Sequence, residues 1–385
     1  MNRAQKNLNT PSPPDIGSKQ MSNWPLHGGD ILSAAQSSGI DPSEILDFSS
    51  SVNRMGPPAK ALELLQHSEQ WIQSYPDPEC REFKTALNKV WGVPKDKLTA
   101  SNGSTELIYE LPGLISSLSK IIILDPSFSE YRKAFEQSGF SIISLFGSAD
   151  NGFKPPLEKI IFEALRGQET GAIILGQPGS PAGQLWSLDE FRQLLSFCEK
   201  NKILLIIDET FAEFSNAFFP SEESDFLIQI RSMTKFHALP GLRLGYGIFP
   251  SRIIRNIESK RPPWSVNALA QKLGTAALLD ENYAESVKSW NDIRKDALFK
   301  KLESLSSIRP FPSSANFILF RLNAVNDDLP KQLFEGLLQD GILVRNCGNF
   351  SGLDETYFRV AVRNDEENDR LMESLRKNLD KLKLI

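Results

Sequence analysis

Near-continuous apolar runs recur through the middle of this chain: Ile121–Leu124, Ala172–Leu175, Ile203–Ile207 and Phe226–Ile230, each leading into a polar or glycine-rich turn. Stretches with helical spacing separate them. A strand that is apolar on both faces has to be covered on both faces. Alternation of such strands with amphipathic helices therefore predicts a mostly parallel α/β sheet between two helical layers. Further strands are expected at Ser141–Leu145, at Leu244–Phe249 and ending near Asn102. Ligands of such sheets bind beyond the carboxyl ends of the strands. Asn102–Thr105, Phe128, Ser180, Asp208 and Ser232–Lys235 all follow strands, so one crevice can collect them.

At 385 residues the chain can bury a large core in one or two domains. We expect a lead-in over 1–22 and a small-domain segment over 23–74. A large domain then spans 75–275, and an α+β small domain 276–385. Residues 59–73 read as one helix, ended by Pro76. The net charge is −5 and no long basic run occurs, so nucleic acid is not an expected partner. The cysteines Cys80, Cys198 and Cys347 lack CxxC spacing, which argues against a metal site or a disulfide framework and fits a reducing cytoplasm. Cys198 is expected in the core. No apolar run approaches the ~18 residues of a membrane span. The Pro/Ser/Asn-rich start has no secretory apolar region.

The stretch 231–246, RSMTKFHALPGLRLGY, brings Ser232, Thr234, Lys235 and Arg243 onto one loop. A hydroxyl and an arginine fork suit a phosphate, and a lysine kept near other cations becomes nucleophilic toward carbonyls. A basic surface loop is the plainer reading. Asp208 ends a buried strand, where a carboxylate needs a positive partner; a protonated heteroaromatic nitrogen is one. Phe128 can cover a flat ring. Ser104 and Thr105 open a helix, where free amides attract anions, although simple capping explains one of them. A ring nitrogen, an aldehyde and a phosphate on one flat ligand describe pyridoxal 5′-phosphate.

On these residues the chain resembles the fold-type I pyridoxal-phosphate enzymes of the class I/II aminotransferase group. Within that group it is most similar to the L-threonine-O-3-phosphate decarboxylases of cobalamin biosynthesis, relatives of histidinol-phosphate aminotransferases. The run Ser232–Tyr246 carries most of the likeness, with His27-Gly28-Gly29, Leu46–Ser49 followed by Gly56-Pro57-Pro58, Tyr75–Pro78, Pro126–Tyr131, Trp264–Gln271 and Phe358–Arg363. The likeness runs from about Trp24 to the C-terminal helix.

The resemblance implies a seven-stranded, mostly parallel sheet in the large domain. It implies that Lys235 joins the cofactor aldehyde and moves protons at the substrate α-carbon, and that Asp208 pairs with the ring nitrogen. Phe128 stacks on the ring, and Ser180 stands near its oxygen. Gly103, Ser104, Thr105, Ser232 and Arg243 hold the phosphate. Tyr75 reaches the same phosphate from the neighbouring subunit of a homodimer. Arg359 clamps the substrate carboxylate. His27, Asn53, Arg345 and Arg363 are candidates for the substrate's carboxylate and phosphate ends, each with a structural role as the competing reading. His237 is read as structural, and Trp264 as lying at a domain junction or dimer seam. No metal is implied.

The chain departs from the family pattern at several positions. Ser180 stands where an asparagine donates to the ring oxygen, and Phe211 where relatives carry a tyrosine; Ser51 and Arg54 replace two further family residues. With two donors shortened or missing, the bond between Lys235 and the cofactor is expected to titrate higher than usual. Three functions follow: decarboxylation of L-threonine O-3-phosphate, transamination of the histidinol-phosphate type, or a binding or regulatory protein that has lost catalysis.

Overall fold

The computed structural model describes residues 27–220, 223–323, 326 and 328–384. The expected lead-in over 1–22, and Trp24 at the start of the family likeness, lie outside the described residues.

Seven strands form the large sheet: β1 (Leu98–Asn102), β2 (Lys120–Asp125), β3 (Ser141–Phe146), β4 (Thr170–Gly176), β5 (Leu204–Asp208), β6 (Leu227–Ser232) and β7 (Leu244–Ile248). Their order is β1-β7-β6-β5-β4-β2-β3. β7 is antiparallel to both its neighbours, and the other pairs are parallel. The mostly parallel α/β sheet expected from the apolar runs is therefore present. The period of two is visible within β2. Ile121 and Ile123 pack on one face with Leu107, Tyr131, Phe135 and Ile253. Ile122 and Leu124 pack on the other with Phe191, Leu195 and Cys198. Each fully buried aliphatic side chain of this kind contributes roughly 1.5–3 kcal/mol. The reversal of β7 has a positional consequence. Its first residue pairs with Asn102 at the carboxyl end of β1, so the chain enters β7 at the edge where the other strands leave the sheet.

A second, antiparallel sheet has the order β10-β11-β9-β8, from β8 (Ile308–Pro310), β9 (Phe317–Leu322), β10 (Arg345–Asn346) and β11 (Tyr357–Ala361). The N-terminal segment returns to this region. Leu46–Asp47 pairs in parallel with Ile342–Leu343, and Ala34, Ala35 and Phe48 share a core with Phe320, Phe358, Leu371 and Leu375.

Two local expectations differ from the structure. The helix expected over 59–73 is broken into Ala59–Glu63, a tight turn at Leu64–His67, and Glu69–Ile72. None of the pieces has a side-chain cap. The tighter middle turn keeps Leu64 and Trp71 against the cluster of Phe83, Leu244 and Ala270, beside the large sheet. The domain boundary expected after residue 275 falls inside the continuous helix Ala268–Leu278, most of whose buried residues belong to that same cluster. Among the described residues no helix is long and apolar enough to cross a membrane, and no group of His, Cys, Asp and Glu is placed to hold a metal. The three cysteines are free and buried.

Candidate active site

At the carboxyl edge of the large sheet, under the small sheet and the N-terminal segment, lies a cavity of about 240 Å³. β1 delivers one end of it. Gly103 takes φ +81° and leads into the helix Ser104–Glu110, whose first residues, Ser104 and Thr105, line the cavity. A Cβ built on Gly103 would lie 2.7 Å from Arg243 Nη2, so only glycine lets the guanidinium reach this turn. Arg243 is itself left-handed, at φ +55°, between the turn Pro240–Leu242 and β7. Thr234 lines the same wall. Ser232 sits behind it, with the two hydroxyl oxygens 2.8 Å apart.

Lys235 follows β6 and lines the cavity. Loss of water lowers its amine to about 8, with the charges of Arg359 and Arg243 adding to the effect. Asp208 closes β5. Burial pushes its carboxyl up, while hydrogen bonds from Thr210 and Tyr131 pull the other way. The Thr210 N–H donates to Oδ1 at 2.9 Å, and the Tyr131 hydroxyl donates to Oδ2 at 2.7 Å. Among the described residues no cation forms an ion pair with Asp208. Phe128 lines the cavity and meets the Tyr131 ring edge-on, with centroids 5.7 Å apart.

The small sheet supplies the opposite wall. Arg345 and Arg359 stand directly across from each other on β10 and β11, and both are buried and line the cavity. Burial lowers both, Arg345 to about 10. Like charges placed opposite one another destabilise a strand pair unless an anion joins them. Arg359 Nη1 donates to Ser180 Oγ at 2.8 Å and Nη2 to the Ser49 carbonyl at 3.1 Å. Its Nε is buried with no hydrogen-bond partner. His27 lines the rim, with Nε2 3.2 Å from Glu130 Oε1. Gly28 lies so close to the Ser49 backbone that a Cβ there would sit 2.2 Å from the carbonyl oxygen.

Three of the candidate residues point elsewhere. The Asn53 amide donates to the Phe236 carbonyl and the Tyr283 hydroxyl, at 3.0 and 2.9 Å, and does not line the cavity. Arg363 is spent on Glu367 and the Asp47 carbonyl. Tyr75 is 82% exposed and packs on Trp264 rather than lining this chain's cavity. His237 is also outside the cavity, with Nε2 3.0 Å from Glu213.

The family model for aminotransferase class I and II matches residues 43–375. The chain belongs to this family. It is 33% identical over 355 residues to the threonine-phosphate decarboxylase of Salmonella typhimurium, covering 91% of this chain and 95% of that protein. It is 32% identical over 358 residues to the adenosylcobalamin biosynthesis bifunctional protein CobDQ of Leptospira interrogans; the match covers 91% of this chain but only 41% of that longer protein. Among solved structures, the histidinol-phosphate aminotransferase from Clostridium acetobutylicum superposes with a TM-score of 0.81 at 30% identity, over 88% of this chain and 100% of that one.

This class I/II family member is a pyridoxal-phosphate-dependent enzyme, and its cavity fits that cofactor. The side chains lining it include four cations, Lys235, Arg243, Arg345 and Arg359, against one carboxylate, Asp208. The phosphate would rest where Gly103 leaves room beside Arg243, Ser104 and Thr105. Asp208, buried without a cation, is suited to the ring nitrogen. Several lining residues carried no role in the sequence: Tyr131, Ser49, Ser50, Thr210 and Phe350. Tyr131 had a usable signal, because it lies three residues after Phe128 at the start of a helix, where such residues share a face. Ser49 and Ser50 carried none.

Proposed function

We propose that the enzyme decarboxylates L-threonine O-3-phosphate, yielding (R)-1-amino-2-propanol O-2-phosphate and CO2 for cobalamin biosynthesis. The observation that carries this reading is the division of the cations between two walls. Arg243, with Ser104, Thr105 and Thr234, suffices for a cofactor phosphate. Arg345 and Arg359 remain on the other wall, with His27 at the rim. A substrate bearing both a carboxylate and a phosphate would use all three. Histidinol phosphate has no carboxylate.

When bound, pyridoxal phosphate supplies a sink for the electron pair left at the substrate α-carbon. The protein's own groups do the rest. Arg359 offers its fork, including the unpartnered Nε, to the α-carboxylate and fixes its orientation. Arg345 and His27 hold the phosphate end. Lys235, with an amine near 8, can hold a proton and deliver it to the α-carbon at neutral pH. Asp208 keeps a negative charge at the heterocycle, and Phe128 covers its face. The enzyme is taken to work in the cytoplasm as a homodimer. The exposed Tyr75, resting on Trp264, is free to reach the partner's cavity.

A second reading, histidinol-phosphate transamination, is supported by relatives such as that of Moorella thermoacetica, 29% identical over 348 residues. One assay separates the two. Purified enzyme given O-phospho-L-threonine should release CO2 and one equivalent of aminopropanol phosphate without any oxo acid. Turnover only with histidinol phosphate and 2-oxoglutarate would favour the second reading. No turnover on either would favour a binding role.

A further inference from the structure

We infer that Tyr131 is a positioning residue for the cofactor ring, its phenol O–H holding Asp208 in the orientation and charge state that meets the ring nitrogen; this rests on the proposed pairing of Asp208 with that nitrogen. Tyr131 is 4% exposed, lines the cavity, and stands 77 residues from Asp208 in the chain. Its phenol donates to Oδ2 of the carboxylate, and the Thr210 N–H donates to Oδ1. Among the described residues, the cavity-lining cations Lys235, Arg243 and Arg359 make no ion pair with Asp208. Burial favours the neutral form of this carboxyl, and hydrogen bonds from Thr210 and from the Tyr131 phenol are what favour the ionised form. The phenol can serve in this way because burial, and then the charge of Asp208, keep its proton in place well above the ordinary tyrosine range.

The geometry assigns a second task to the same ring. Its edge-to-face contact with Phe128 ties the residue that covers the heterocycle to the residue that charges it. Both sit at the start of the helix Ser129–Gln137, so one helical turn sets two walls of the cofactor slot.

Tyr131→Phe keeps the ring and the Phe128 contact and removes only the hydroxyl. The test is a double-mutant cycle with Asp208→Asn. It is read as the dissociation constant of pyridoxal 5′-phosphate from reconstituted enzyme between pH 6 and 8, with thermal midpoints of the apo-proteins recorded alongside. Tyr131→Phe should weaken cofactor binding about tenfold, the scale of one hydrogen bond to a charged group. The loss should grow toward pH 6, as Asp208 takes up its proton more readily. In the Asp208→Asn background the same change should alter affinity by less than about twofold, with no pH trend. An equal loss in both backgrounds would mean that Tyr131 acts by packing alone and would overturn the inference. So would an unchanged, pH-independent affinity in Tyr131→Phe. Wild-type affinity in Asp208→Asn alone would instead remove the proposed ring-nitrogen pairing beneath it.

Discussion

Lys235 shares its cavity with Arg359 and Arg243, and these charges add to desolvation in bringing its amine to about 8. The rate at which apo-enzyme captures pyridoxal phosphate should therefore climb with pH and level off above about 8, because only the neutral amine attacks an aldehyde. Stopped-flow absorbance reads this directly. Arg359→Gln removes a positive neighbour, so the midpoint should move up. Arg359→Lys keeps the charge and should leave the midpoint near 8, yet it loses the fork. Its KM for the proposed substrate, O-phospho-L-threonine, should rise by about tenfold or more. A midpoint that stays put in Arg359→Gln would mean that burial and Arg243 set the lysine without Arg359.

At the scale of elements, β5 and β6 are locked together just beyond Asp208. Glu209 Oε2 accepts from Arg231 Nε at 2.7 Å, with both side chains almost wholly buried. The second oxygen of Glu209 takes the Phe219 N–H and Gln229 Nε2. The guanidinium lies 4.9 Å from the Trp91 ring and 4.2 Å from that of Phe218. Truncating one member of such a pair leaves a buried charge without compensation. Glu209→Ala should cost about 3–5 kcal/mol, seen as a fall in the urea midpoint at saturating cofactor. Because Glu209 directly follows Asp208, cofactor affinity should drop with it. A loss below about 1 kcal/mol would show that water reaches Arg231.

The whole molecule is closed by a contact between its two ends. Glu367, in the first turn of the C-terminal helix Asp365–Lys381, takes hydrogen bonds from Arg54 of the N-terminal segment and from Arg363 after β11. Burial pushes its carboxyl up, but the hydrogen bonds of Arg54 and Arg363 override this and hold it at about 2, against an ordinary 4.5. A depressed carboxylate contributes stability that is fully present above 4.5 and is lost as pH falls toward 2. Glu367→Gln should lower the thermal midpoint at pH 7. It should also flatten the decline of that midpoint between about pH 4.5 and 2, the window between the ordinary carboxyl value and the depressed one. Parallel acid profiles for the two proteins would show that this contact does not join the ends of the chain.

Much of the layout was legible in the chain itself. Apolar strands such as Ile121–Leu124 admit no solvent face. Their turns had to present Ser104, Phe128, Ser180, Asp208 and Lys235 at one edge, and the cavity collects all five. Local periodicity decides such matters, because it is a property of neighbours in sequence. What a side chain touches across elements is not. Asn53 and Arg363 are satisfied by groups from distant segments and turn away from the cavity. The hydroxyl of Tyr131 finds Asp208 across 77 residues. Arg345 and Arg359 become neighbours only through the register of two strands. The helix expected over 59–73 breaks where it meets the large-sheet side of the molecule. In each case the outcome depends on which partner lies within about 3 Å once the layers have packed, and that distance exists only in the folded chain.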